Sequence, residues 1–132
     1  VIPMSFSQSQ YLEFPPREWS LRWYAHYFQS VEWMAATRTS LLAGVLTMLL
    51  ATPIGVAAAY GLFVSRHPLA RFMFILLVTP IIVPVILIAI GAFYVYVQIG
   101  LVNSLLGLVL AHTILALPLI LVIVSAALTL HD

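Results

Sequence analysis

Three long apolar runs occupy the second part of the chain and are separated by two short polar connections. The runs cover residues 39–64, 72–97 and 104–130. Roughly 20 helical residues cross a bilayer core of about 30 Å, so each run is long enough to span a membrane with some tilt. Because the connections at 65–71 and 98–103 are short, consecutive spans are predicted to run antiparallel and to pack as neighbours.

The first 38 residues have a different pattern. The segment SQSQYLEFPPREWS is polar and contains Pro15 and Pro16, which predicts an extended or turning strap. In the following SLRWYAHYFQSVEWMAA, Trp23, Tyr27 and Val31 recur at four-residue steps. This spacing predicts an amphipathic helix rich in the aromatic residues favoured where water meets lipid. We expect this helix to lie along the outward-facing surface of the membrane that the chain spans. There it would serve as an interfacial anchor or as a docking surface for an external partner.

Composition supports a membrane location. The chain is 64% hydrophobic and 7% charged, whereas a soluble domain has about 25% charged residues. The lack of cysteine excludes a disulfide framework, a thiolate nucleophile and a cysteine metal cluster. A net charge of +1 argues against nucleic acid as a partner, because nucleic-acid binding normally needs a dense basic patch. The lipid bilayer is therefore the first partner that the sequence predicts.

The distribution of arginine predicts an orientation. Between residues 39 and 131 the only permanent charges are Arg66 and Arg71, in the first connection. Cytoplasmic loops collect basic residues, so this connection is predicted to be cytoplasmic. Three further arginines precede the first span and complicate the assignment: Arg17, Arg22 and Arg38.

Small residues recur along the first span at every fourth position, namely Ala43, Thr47, Ala51, Gly55 and Ala59. In lipid, small residues let helix backbones approach closely, and this contact replaces the hydrophobic drive that water provides. The row therefore predicts a ridge that packs against a closely crossing helix.

Two prolines interrupt the second span. Pro80 and Pro84 lie in the apolar stretch LLVTPIIVPVILIAIG, and proline ends or kinks a helix. A loop or open strand facing lipid would leave backbone groups unpaired, so a kinked helix is the prediction. The freed carbonyls should face protein or a water-filled path, with Thr79 as a local donor. The alternatives are a packing kink and a translocation path or hinge.

The third span contains His112 and Pro118, and the proline again predicts a bent helix at a translocation path or hinge. A titratable residue in a span predicts either a path or gating role, or simply a bond to a neighbouring helix. No Asp or Glu lies in a span, and Ser104 and Ser125 are about 12 and 20 Å from His112 along a helix. The sequence therefore predicts neither an enzyme nor a metal site.

Four segments then occur in a distinctive order: VIPMSFSQSQYLEFPPREWSLRWYAHYF, TSLLAGVLTMLLATPIGVAAAYGL, LLVTPIIVPVILIAIGAFY and GLVNSLLGLVLAHTILALPLILVIVSAALTLHD. Together they resemble the membrane permease subunits of binding-protein-dependent ABC importers. The short motifs SFS, SLRWY and LAHTILALP are most similar to those of the spermidine/putrescine branch. The resemblance implies an all-α polytopic helical bundle with part of the ABC importer permease (MetI-like) fold.

The resemblance also implies what surrounds this segment. The chain is expected to be a fragment carrying helices two to four of six, with residues 1–4 at the outer end of a first helix. Asp132 is expected to begin the segment that couples to the ATPase through a Glu-Ala-Ala signature. The implied partners are a second permease subunit, cytoplasmic ATPase subunits and a periplasmic solute-binding protein. The resemblance implies that this chain itself lies in the cell inner membrane. No cofactor is expected in this chain.

The sequence thus predicts a subunit that passes a small hydrophilic solute, of the polyamine class, to the cytoplasm by alternating access. The alternative is a polytopic scaffold or assembly protein without transport activity. The spans contain no carboxylate to recognise a polycation. Substrate selection would then depend on the binding protein, on aromatic faces or on helices outside this segment.

Overall fold

The computed structural model describes residues 2–11, 14–65 and 67–130, and its regular elements are helical. The prediction of an all-α chain is confirmed. The chain divides into two compact units, Val1–Leu41 and Leu42–Asp132. The described residues form five α-helices, α1 (Arg22–Gln29), α2 (Val31–Val64), α3 (Leu69–Val78), α4 (Val85–Ile99) and α5 (Leu105–Leu130).

In the first unit the strap turns back on itself. Ser7 and Trp19 form an isolated antiparallel bridge, and the Ser20 backbone N–H donates to the Phe6 carbonyl at 2.6 Å. The Phe6 ring has its centroid 6.4 Å from that of Trp19 and 5.3 Å from that of Tyr24. Pairing of backbone and rings therefore holds both ends of the strap beside α1.

The amphipathic segment forms two helices rather than the predicted one. α1 ends at Gln29, and Ser30 takes an extended conformation with φ −81° and ψ 116°. The Ser30 hydroxyl then accepts a hydrogen bond from the Trp33 backbone N–H at 3.3 Å, as a capping serine does at the start of α2. The Tyr27 and Thr37 hydroxyls are hydrogen-bonded to each other across the break. Serine competes for backbone groups, which explains the interruption.

α2 is longer than a bilayer requires. Its 34 residues correspond to about 51 Å, against a hydrocarbon core of about 30 Å. The predicted span 39–64 forms the later part of this helix, and the surplus at its start carries Glu32 and Arg38. Pro53 lies inside the helix without ending it.

The predicted ridge of small residues is the buried side of α2. The buried residues of this helix are Ala43, Ala51, Gly55 and Ala59, and Thr47 is half-buried. A Cβ atom placed on Gly55 would be 2.6 Å from Cγ2 of Ile120 in α5. The ridge thus brings the α2 backbone directly against an α5 side chain.

α2 and α5 run in the same direction. Leu46 and Leu50 line a cavity together with Val109, in the first part of α5. Gly55 meets Ile120, and Phe63 shares a second cavity with Ser125. Residue numbers therefore rise together along both helices, which is the arrangement expected of the first and third spans when consecutive spans alternate.

α5 is buried on two opposite sides. At about 100° per residue, Val109, Thr113 and Ile120 fall on the side that faces α2, whereas Pro118 and Leu121 fall on the other side. The remaining elements in contact with α5 are α3, α4 and the 3₁₀ turn Thr79–Ile81. These elements cover the second side, so α5 is the central helix of the unit.

The turn from α4 to α5 is set by its polar and small residues. Gly100 at φ 70° and Asn103 at φ 56° adopt the left-handed conformation. The Ser104 hydroxyl accepts a hydrogen bond from the Gly107 backbone N–H at 3.0 Å and donates to the Leu101 carbonyl at 2.7 Å. A side chain at Gly107 would overlap that carbonyl oxygen, so glycine allows the loop to close tightly on α5.

Within the part of the chain that the structure describes, two helices, α2 and α5, are each long and apolar enough to cross a membrane. The predicted second span, 72–97, differs from the expected kinked helix because it consists of two helices bent by 99°. It counts as one span only if α3 and α4 are taken together. The first and third predicted spans are therefore single helices long enough to cross a membrane, whereas the second is broken into two helices.

Replacing Gly55 by alanine is expected to destabilise the protein by about 1–3 kcal/mol, because the new methyl group overlaps the β-branched Ile120 side chain. Thermal unfolding of the purified protein in detergent measures the effect. The matched control is Gly44→Ala in the same helix, where a Cβ meets nothing within 4 Å. The double variant Gly55→Ala with Ile120→Ala should recover part of the loss. Equal effects at Gly55 and Gly44 would contradict the close approach of α2 and α5.

Candidate functional site

The two prolines of the second apolar segment lie at a break between helices. α3 ends at Val78, a 3₁₀ turn covers Thr79–Ile81, and α4 begins at Val85. Pro84 has φ −52° and ψ 125°, which directs the chain out of helical geometry immediately before α4. Proline also disfavours the helical conformation in the residue before it, here Val83. The pair of prolines thus accounts for the position of the break.

Local hydrogen bonds close the backbone on both sides of the break. The Thr79 hydroxyl donates to the Ile75 carbonyl at 2.7 Å, and the Thr79 N–H donates to the same carbonyl. The Thr79 carbonyl accepts from the Ile82 N–H at 2.9 Å. The Pro84 carbonyl accepts from the Leu87 N–H at 2.9 Å and starts α4. Thr79 is therefore a local donor, but its acceptor already has a backbone partner and is not a carbonyl freed by a proline.

The break lies near the middle of a bilayer if α3 enters from one surface. The ten residues of α3 rise about 15 Å, which is half of a hydrocarbon core of about 30 Å. The 99° bend then turns α4 away from the direction of α3. Irregular backbone at this depth is tolerated only where protein covers it or where it lines a water-filled cavity.

One side of the break is covered and another is open. The 3₁₀ turn contacts both α3 and α5, and Pro80 within it is half-buried. By contrast, Ile82 is 82% exposed and Pro84 is exposed. Among the described residues no side chain caps the start of α4, although the first N–H groups of a helix lack partners within it. The exposed residues of the break therefore lie next to a helix start that has no side-chain cap.

The third span separates its two predicted site residues. Pro118 is fully buried inside α5, whereas His112 is exposed on the same helix. Six residues at about 100° each place them on different sides of the helix. Pro118 thus belongs to the packed side of α5, while His112 does not share that packing.

Sequence reasoning missed a polar residue in the centre of the unit. Thr113 is 5% exposed, and its hydroxyl donates to the Val109 carbonyl at 2.8 Å. Small residues and threonine are enriched where membrane helices pack against each other, and this enrichment is the sequence signal for a buried Thr113. Among the described residues, the hydroxyls of Thr47 and Tyr96 are buried without a hydrogen-bond partner.

The charged positions are placed unevenly. Arg71 lies in the first turn of α3 rather than in the connection, which is shorter than predicted. Arg66 and Asp132 lie outside the described residues, so their predicted roles are not addressed. Within the described ranges, no group of three His, Asp or Glu side chains is placed to hold a metal ion.

Compared with models of known protein families, with characterised proteins and with solved structures, the chain gives no match. The likeness of its segments to importer permeases therefore stays a prediction.

Replacing both prolines of the break by alanine is expected to straighten the segment, because the missing N–H donors are restored. The native chain has no cysteine, so spin labels can be placed at Phe72→Cys and Tyr94→Cys. With the 99° bend, the two labelled backbone positions are about 20 Å apart, and a continuous helix puts them about 33 Å apart. Pulsed electron paramagnetic resonance measures the distance between the two spin labels.

The control for this measurement is Pro53→Ala, which removes a proline that lies inside α2 without breaking it. It should leave the distance between the labels unchanged. A distance that stays near 20 Å after Pro80→Ala with Pro84→Ala would show that packing against α5, and not proline, sets the bend.

Proposed function

We propose that this chain is part of the membrane permease subunit of an ATP-driven importer for a small hydrophilic solute. The observation that carries the proposal is the open, proline-flanked break between α3 and α4. Discontinuous helices near the bilayer midplane are where transporters place their substrate sites. The segments that resemble importer permeases contain this same break.

The physical argument begins with the cost of the break. In hydrocarbon an unpaired backbone group costs several kcal/mol. The residues Ile82 and Pro84 are exposed and the start of α4 has no side-chain cap, so we expect lipid not to cover this side of the break. The open side must face another protein surface or water. A permease provides both, because a second subunit and a solute path meet at the centre of the complex. A simple anchor gains nothing from such a break.

The bend also suits alternating access. α3 and α4 are regular helices of 10 and 15 residues joined by an irregular segment, so angular change can be confined to residues 82–84. α5 is packed on two sides and forms the fixed reference for that change. In the proposed mechanism, rocking between two subunits opens the path first to one side of the membrane and then to the other.

ATP hydrolysis is assigned to separate cytoplasmic subunits, and solute delivery is assigned to a periplasmic binding protein, with the permease in the inner membrane. The solute class is a polyamine by resemblance. Residues 39–131 contain no carboxylate, so a polycation cannot be held there by acidic side chains. Selection is therefore placed on the binding protein, on aromatic faces or on helices beyond this segment.

Cysteine labelling in the assembled transporter tests the path. Thr79→Cys, Ile82→Cys and Pro84→Cys at the break, together with His112→Cys, are expected to react with a water-soluble thiol reagent. The rate should change at least severalfold when ATP is added, because alternating access opens and closes the path. Ile54→Cys, an exposed apolar position of α2, is the lipid-facing control and should stay unlabelled. Four unlabelled positions would contradict a water-filled path at the break.

An uptake assay separates the permease from the rival scaffold. Cells that carry the parent gene with its neighbouring genes are expected to accumulate labelled putrescine or spermidine, and deletion of the parent gene should abolish this uptake. An amino acid of similar size serves as the comparison solute. Retention of all uptake after deletion, with loss of another complex from the membrane, would favour a scaffold or assembly protein.

A further inference from the structure

A cavity lies where α2 connects to α3, at the end of the unit reached by the last turns of α5. Its volume is about 530 Å³, within the range of about 300–1,000 Å³ that is usual for ligand sites. The polar residues that line it are Ser65, His67, Arg71 and Ser125. The break between α3 and α4 contributes no residue to it, so this cavity is separate from the candidate site described above.

The positive charge at this cavity has no acidic partner nearby in the sequence. Glu32 precedes Arg71 by 39 positions, and the next acid is Asp132, which lies outside the described residues. Arg71 is exposed at the first turn of α3. A guanidinium offers several donors in a planar fork that matches a phosphate group. The cavity therefore favours an anionic ligand.

Local hydrogen bonds orient the other polar groups of the cavity. The Ser65 hydroxyl accepts from the His67 backbone N–H at 3.3 Å, and His67 Nδ1 accepts from the Leu69 N–H at 3.2 Å. Because Nδ1 is an acceptor, the neutral ring carries its proton on Nε2, which is free to donate. Backbone geometry thus holds a second donor beside Arg71.

The remaining wall of the cavity is apolar. Leu62 and Phe63 come from the end of α2, and Phe74 comes from α3 one turn after Arg71. Polar donors therefore stand at the helix connection, and apolar side chains continue from them toward the membrane core. This polarity matches a phospholipid, whose phosphate lies at the surface and whose acyl chains point inward.

We propose that this cavity binds one anionic phospholipid, with its phosphate on Arg71 and His67 and its acyl chain along Phe63 and Phe74. Basic pockets between helices on the cytoplasmic side recognise acidic headgroups, and the sequence predicts that this connection is cytoplasmic. The proposal goes beyond the transport function and does not depend on it.

Thermal unfolding of the full chain in neutral detergent tests the site. Dioleoyl phosphatidylglycerol is expected to raise the melting temperature in a saturable way, and native mass spectrometry should retain one such lipid per chain. Dioleoyl phosphatidylcholine, with the same acyl chains, should bind at least tenfold more weakly. Arg71→Gln is expected to weaken the apparent affinity about fivefold, since one basic residue near an acidic surface has an effect of that size.

Matched variants separate the site from general charge effects. Arg38→Gln in α2 removes the same charge outside the cavity and should leave the affinity unchanged. Arg71→Lys keeps the charge and should stay within about threefold of the native affinity. Ser125→Leu fills the cavity from α5 and should weaken lipid binding even if Arg71→Gln does not fold.

Several results would overturn the proposal. Equal stabilisation by phosphatidylcholine would show a site for acyl chains alone, and full stabilisation by inorganic phosphate would show a site for the free ion. Equal losses in Arg38→Gln and Arg71→Gln would show unspecific surface charge. If Asp132→Asn raised the lipid affinity as much as Arg71→Gln lowered it, Asp132 would be the native partner of Arg71 and the lipid assignment would be wrong.

Discussion

The inability of hydrocarbon to hydrogen-bond to a polypeptide is the constraint on which this structure depends. It makes long continuous helices such as α2 and α5 the simplest solution, since each satisfies its own backbone. Pro53 and Pro118 show how strong this constraint is, because neither ends the helix that contains it. Pro80 and Pro84 instead lie between two helices, Pro80 within the 3₁₀ turn that contacts α5 and Pro84 directly before α4. One constraint thus explains both the continuous spans and the broken one.

Close packing is the second condition, and α5 is its centre. Gly55 lets the α2 backbone approach Ile120, while Pro118 and Leu121 are buried on the opposite side of α5. Small and β-branched residues replace the hydrophobic drive that a soluble protein would use, since lipid offers none between helices. α4 is different, because none of its described residues is buried. The buried residues of this unit therefore lie on α2 and α5, whereas α3, like α4, has none among the described residues.

Sequence reasoning succeeded where a single residue type has one physical consequence. Apolar length predicted α5 to within one residue at its start, and four-residue spacing predicted which side of α2 is buried. Proline located the break but not its 99° angle, because the angle depends on how the 3₁₀ turn packs against a distant helix. The interruption at Ser30 was missed because the aromatic periodicity continues through it, whereas a hydroxyl that caps α2 is a local event. The spacing of residue types along the sequence therefore predicts which side of a helix is buried. The angle between two helices depends on contacts with distant parts of the chain, which the local sequence does not show.

α3 connects the two sites by its rigidity. Arg71, in its first turn, and Thr79, at its end, are eight residues apart, or about 12 Å along one helix. The cavity at the start of α3 is also lined by residues of α2 and α5, which approach each other closely at Gly55 and Ile120. A phospholipid bound there would add contacts at the base of α3 and none at the break. Movement needed for transport would then be concentrated at residues 82–84, where the backbone is irregular, rather than spread along the helix. A short α3 followed by a break would suit the proposed importer better than one long span, in which bending at any point would disturb the packing against α5.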